Sequence, residues 1–110
     1  MFKLVANPTF TCPVHISVPG SETPATLQVT FKHKTARQLT AWLLASVTRT
    51  DDATYLEEVI ANITPLADAD GKPAPYSRTA LEALIDQFPA SGPELVQAYR
   101  KQLADARAKN

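Results

Sequence analysis

Between Phe10 and Val18 apolar side chains fall on every second position, at Val14, Ile16 and Val18 with His15 and Ser17 between them. Leu27, Val29 and Phe31 alternate with Gln28, Thr30 and Lys32 in the same way. A period of two is the repeat of a half-buried strand. The segment between, Pro19-Gly20-Ser21-Glu22-Thr23-Pro24-Ala25, is built of turn formers, so the pattern predicts an antiparallel hairpin with a long loop. Pro13 has no N–H to give a ladder, which assigns the first strand to a sheet edge or to a bulge. Residues 2–5 offer a third short strand.

After Thr35 the repeat becomes helical. Leu39, Trp42, Leu43 and Val47 recur at three-to-four spacing and predict a helix over 36–48, with Thr35 placed to cap it. Asp51 and Asp52 suit the positive end of a second helix whose stripe is Leu56, Val59, Ile60 and Ile63, with Glu57 and Glu58 on its wet side and Thr64-Pro65 closing it. Residues 65–76 carry Pro65, Pro73 and Pro75 and read as an irregular loop, long enough to be functional or mobile. Ser77 caps a third helix bearing Leu81, Leu84, Ile85 and Phe88. Ser91-Gly92-Pro93-Glu94 reads as the capping box of a fourth, bearing Leu95, Val96, Tyr99 and Leu103. The pattern fades in Ala104 to Asn110, and 105–110 read as a flexible tail.

These elements add up to one α+β domain over 1–110, an N-terminal antiparallel β-hairpin in residues 1–34 packed against about four α-helices in residues 35–104. The expected core is Val14, Ile16, Leu27, Val29 and Phe31 from the hairpin, Leu39, Trp42 and Leu43 from the first helix, and Leu56, Val59 and Ile60 from the second. Leu81, Leu84, Ile85, Phe88, Val96, Tyr99 and Leu103 complete it.

With 110 residues, 45% of them apolar, the chain can bury one modest core, and a second full domain does not fit. One cysteine, Cys12, excludes an internal disulfide and points to a reducing compartment. The N-terminus lacks the apolar stretch of a secretory signal, and the longest apolar run, Ala41 to Ala45, is far below the roughly 20 residues of a membrane span. Eleven cations balance eleven anions, which argues against polyanion binding by bulk charge. The balance is a cancellation: residues 1–50 hold five cations and one anion, and residues 51–110 hold six cations and ten anions, a net +4 against −4. If the halves lie at opposite ends of the fold, head-to-tail stacking is favoured and weakens with salt.

The chemistry-bearing residues do not assemble a catalytic or metal centre on paper. Cys12 shares the inward face of the first strand with Val14 and Ile16 while His15 points the other way, so Cys12 reads as a small buried apolar side chain. Asp68-Ala69-Asp70-Gly71 fails as a calcium loop because Leu66 and Ser77 stand where the first and last ligands belong; it reads as an Asp-Gly turn. There is no nucleophile elbow or phosphate loop, and neighbouring Glu57 and Glu58 cannot face each other as acid and base. As a helix-turn-helix, the second helix would present Glu57 and Glu58 to DNA. No catalytic, cofactor or metal residue is therefore assigned.

The order of segments resembles the tail assembly chaperones of long-tailed bacteriophages and their prophage remnants. The likeness runs from the Asn-Pro-Thr-Phe opening through Pro-Val-His-Ile-Ser-Val-Pro-Gly and Val29-Thr30-Phe31-Lys32-His33-Lys34-Thr35 into the Trp42 helix. It continues in Asp70-Gly71-Lys72-Pro73-Ala74-Pro75-Tyr76-Ser77, in Leu81 to Phe88-Pro89, and in Ala98-Tyr99-Arg100. Where family members tend to carry a second tryptophan, this chain has Thr64-Pro65-Leu66.

The resemblance implies a non-enzymatic assembly factor in the host cytoplasm, one that coats the tape measure protein, helps recruit tail tube subunits, self-associates and is absent from the finished virion. The alternative reading is a small phage-encoded nucleic-acid-binding or regulatory protein. The contact surface is expected at Phe10, Val14 and Ile16 of the edge strand, at Tyr76 in the central loop, and at Arg100 and Lys101 on the fourth helix. Such chaperones are often also made in a longer, frameshifted form. The closing Ala108-Lys109-Asn110 can be encoded by a slippery A AAA AAC, and reading the gene tests that expectation.

Overall fold

The computed structural model describes residues 9–45 and 51–109, with side chains described as far as Leu103. The expected strand at 2–5 and the last turn of the expected 36–48 helix lie outside the described residues. In chain order the elements are β1 (Thr9–Ile16), β2 (Ala25–Lys32), α1 (Ala36–Ala45), α2 (Asp52–Glu57), β3 (Ile60–Thr64), α3 (Arg78–Gln87) and α4 (Ser91–Lys109).

The hairpin forms with the faces that the alternation assigns, in a register that runs from Thr9 opposite Lys32 to Ile16 opposite Ala25. Cys12, Val14, Ile16, Leu27, Val29 and Phe31 all face the core, while Thr11, Pro13, His15, Thr26 and Gln28 face solvent. The sheet order is β1-β2-β3, so among the described residues β1, with its Pro13, lies at an edge.

The expected second helix is corrected by β3. Helix α2 stops at Glu57, and Ile60 to Thr64 pair antiparallel with β2 instead. The register shifts between Thr30 and Phe31: Asn62 faces Thr30 and Ile60 faces Phe31, which leaves Ala61 as the extra residue of a bulge. That insertion turns Ile60 and Ile63 to the same buried face, each 1% exposed, although they are three residues apart. A spacing of three reads as helix in a bare sequence, and here a bulge produced it.

Helix α4 packs against β1, and α2 sits among α3, α4 and β3. Aromatic rings close the seam. Trp42 stacks on Tyr55 with centroids 4.2 Å apart and meets Tyr99 edge-on at 5.2 Å. Tyr99 also contacts Phe31 at 5.2 Å and Phe10 at 6.1 Å. Two of the polar ends bond to the backbone: Trp42 Nε1–H donates to the Tyr55 carbonyl at 2.9 Å, and the Tyr99 hydroxyl donates to the Lys32 carbonyl at 3.1 Å.

Helix termini explain most of the remaining order. Thr35 and Gln38 form a reciprocal box, each side chain accepting from the other's backbone N–H. Asp51 caps α2 through the Thr54 N–H at 2.7 Å, and Ser77 caps α3 through the Ala80 N–H at 3.1 Å. Helix α4 opens where expected, but Ser91 and Glu94 do not box it. The buried Ser91 hydroxyl donates to the Leu84 carbonyl, and Glu94 accepts from the Ser17 N–H at 3.0 Å and its hydroxyl at 2.6 Å, binding the end of β1 to α4. The helix runs on to Lys109, past the expected end near Ala104. Leu43, expected in the core, is 38% exposed, and Leu39, Ile85, Phe88, Val96 and Leu103 are only partly buried.

Candidate functional site

Residues 65–77 are an ordered hairpin-like loop. Ala67 bridges Pro73, the Ala74 N–H donates to the Leu66 carbonyl at 2.8 Å, and the Asp68 carboxylate accepts from the N–H groups of Asp70 and Lys72 at 2.9 and 3.0 Å. Gly71 takes φ +80°, the left-handed conformation this turn requires. The loop therefore stands as a fixed wall beside α3.

A groove of about 750 Å³ runs between that wall and α3. Leu66, Leu84 and Phe88 supply its large apolar surface; Ala67, Ala69 and Ala74 from the loop and Ala80 and Ala83 from α3 line it with methyl groups. Asp68, Ser77, Thr79 and Gln87 stand among its lining as polar positions. Small lining residues let a guest backbone approach closely, and the groove's size is within the range of ligand-binding clefts.

Arg78 holds the head of α3 against α2. Its guanidinium reaches Glu82 at 2.8 Å, the Thr54 hydroxyl at 3.0 Å, Glu57 at 3.4 Å and Asp51 at 3.7 Å. The backbone N–H of Thr54, then its hydroxyl, hold the Asp51 carboxyl below the usual carboxylate range, with Arg78 adding to the effect.

The residues expected at a contact surface are dispersed. Val14 and Ile16 are core residues, 4% and 1% exposed. Phe10 is half-buried against Phe31 and Tyr99. Val14 and Lys101 do line one cleft, of about 630 Å³, with Pro13, His15 and Glu94, and Arg100 is exposed on the same helix. Tyr76 lines another, of about 530 Å³, with Lys32, Glu57, Glu58 and Ile60. Burial pushes the Tyr76 phenol up, the Glu57 charge adds to this, and Arg78 opposes it.

None of the six lines the alanine-lined groove. Its sequence signal was the pair Ala80 and Ala83 beside the Leu81-Leu84 stripe, which widens the apolar arc of α3 beyond what one core contact needs.

The sequence model that describes phage tail assembly chaperones matches residues 1–110, the full length of the chain. The protein belongs to the phage tail assembly chaperone family. No curated protein and no solved structure is significantly similar to it. Membership of this family implies protein partners in tail assembly. Among the described residues no helix is long and apolar enough to cross a membrane.

Proposed function

We propose that this chaperone binds an apolar helical segment of the tape measure protein in the groove between residues 65–77 and α3, acting without catalysis in the host cytoplasm. It keeps the long protein soluble, helps bring tail tube subunits to it, and leaves before the virion is finished. The observation that carries this reading is an open apolar groove walled by an ordered loop and lined with alanines. A helix with its side chains is about 10–12 Å across, and methyl-lined grooves admit such a rod more closely than leucine-lined ones.

Co-expression tests it. The tape measure protein is expected to be more soluble with this chain present and to co-purify with it, and Ala83→Glu is expected to abolish both effects. An insoluble tape measure protein in both cases, with no co-purification, would sink the reading. Salt-dependent retention of the chain on DNA would favour the regulatory alternative.

A further inference from the structure

Strand β1 is paired with β2 on one side, and the pairing fixes which of its backbone groups are left over. Successive residues of an antiparallel strand point their N–H and C=O groups to opposite sides. The Lys32 N–H donates to the Val59 carbonyl at 2.7 Å, so Gln28, Thr30 and Lys32 point toward β3, and Leu27, Val29 and Phe31 toward β1. Their β1 partners are Val14, Cys12 and Phe10. The backbone groups of Thr9, Thr11, Pro13 and His15 therefore point away from β2, and no backbone hydrogen bond among the described residues takes them up. Ser17, next in that series, leaves the edge in the same direction, donating its N–H to Glu94 of α4.

The cleft of about 630 Å³ lies between this edge and α4. Helix α4 runs antiparallel to β1, since Glu94 stands at Ser17 and Tyr99 at Phe10. Pro93 and Ala98 give the cleft apolar surface, and Lys101 stands at its end toward the start of β1. Glu94 is engaged by the Ser17 N–H and hydroxyl, whereas Lys101 makes no ion pair among the described residues. The uncommitted charge of the cleft is thus positive. Pro13 withholds one donor, which blunts pairing with any passing strand and leaves Thr11, His15 and the Pro13 carbonyl as the points of attachment.

We infer that an extended segment of a partner protein adds to the free edge of β1 as an antiparallel strand, with apolar side chains over Pro93 and Ala98 and a carboxylate at Lys101. An edge of unpaired backbone groups bonds to an extended chain, and the ammonium of Lys101 sets its register. No residue lines both this cleft and the groove beside α3, so the two surfaces can be filled at once. The inference does not rest on the function proposed above.

Amide hydrogen exchange of the full chain, followed by NMR, tests it with the synthetic peptide Thr-Val-Thr-Val-Thr-Glu-Thr at millimolar concentration and with the same peptide carrying lysine in place of glutamate. In the chain alone the Thr11 and His15 amides are expected to exchange fast and those of Cys12 and Val14 slowly. The glutamate peptide is expected to slow Thr11 and His15 severalfold, and the lysine peptide to leave them fast. Lys101→Glu, at an exposed position, is expected to weaken binding of the glutamate peptide about fivefold, and Ala83→Glu to leave it unchanged.

Slow Thr11 and His15 amides in the chain alone overturn the inference, because the edge is then covered by the chain itself or by a second copy. No slowing with either peptide overturns it, as does equal slowing with both, which removes the acidic partner. Slowing that is lost in Ala83→Glu and kept in Lys101→Glu overturns it too, since the peptide then sits in the groove beside α3.

Discussion

The aromatic seam under the sheet and the groove beside α3 are both apolar, and they differ in what fills them. In the seam, Phe31, Trp42, Tyr55 and Tyr99 fill the space between elements, and Trp42 and Tyr99 tie their polar ends to backbone carbonyls. In the groove alanines are the commonest lining residues, and the loop wall is braced by its own backbone hydrogen bonds and by Asp68. Large side chains close a surface, and small ones on a braced scaffold leave it open.

Substitutions break this comparison in order of size. Phe31→Ala removes a fully buried ring and is expected to cost about 3–5 kcal/mol, read by chemical denaturation. Ala83→Glu should change stability by less than about 0.5 kcal/mol while abolishing partner binding. Equal costs at the two positions would show that the groove is core.

Gly92→Ala comes next. A Cβ there lies 2.5 Å from Asp52 Oδ2 at the point where α2 meets the start of α4, so the carboxylate must swing aside and a cost of about 1 kcal/mol is expected in the same measurement. Ser77→Ala removes the cap that starts α3 beside the groove and should cost about 1 kcal/mol.

The smallest effects are in pH dependence. Burial raises the Tyr99 phenol, so its contribution is complete below the ordinary tyrosine range and is lost as pH rises through the folded value; Tyr99→Phe should flatten the loss of stability above about pH 10. Asp51 has the opposite sign. Its lowered carboxyl contributes above the ordinary carboxylate range and is lost as pH falls through the folded value, so Asp51→Asn should flatten the acid limb of the thermal-stability profile.

The hairpin, the buried face of each of its strands and the helix starts at Thr35, Asp51 and Ser77 were legible in the sequence, because strict alternation and single polar residues carry local signals. Strand β3 was not legible. Its bulge at Ala61 gives Ile60 and Ile63 helical spacing, and only pairing with β2 reveals it. Glu94 looked like a capping residue but bonds to Ser17, 77 positions away, a partner no local motif can name. The groove was the hardest to read, because alanines count little in any hydrophobic pattern and the wall opposite them comes from a loop.

The most direct measurement is the soluble fraction of the tape measure protein co-expressed with wild type and with Ala83→Glu at matched chaperone levels. A large soluble fraction with the wild type and none above background with the variant is the expected result. Equal solubility with both would contradict the claim that this groove receives the client.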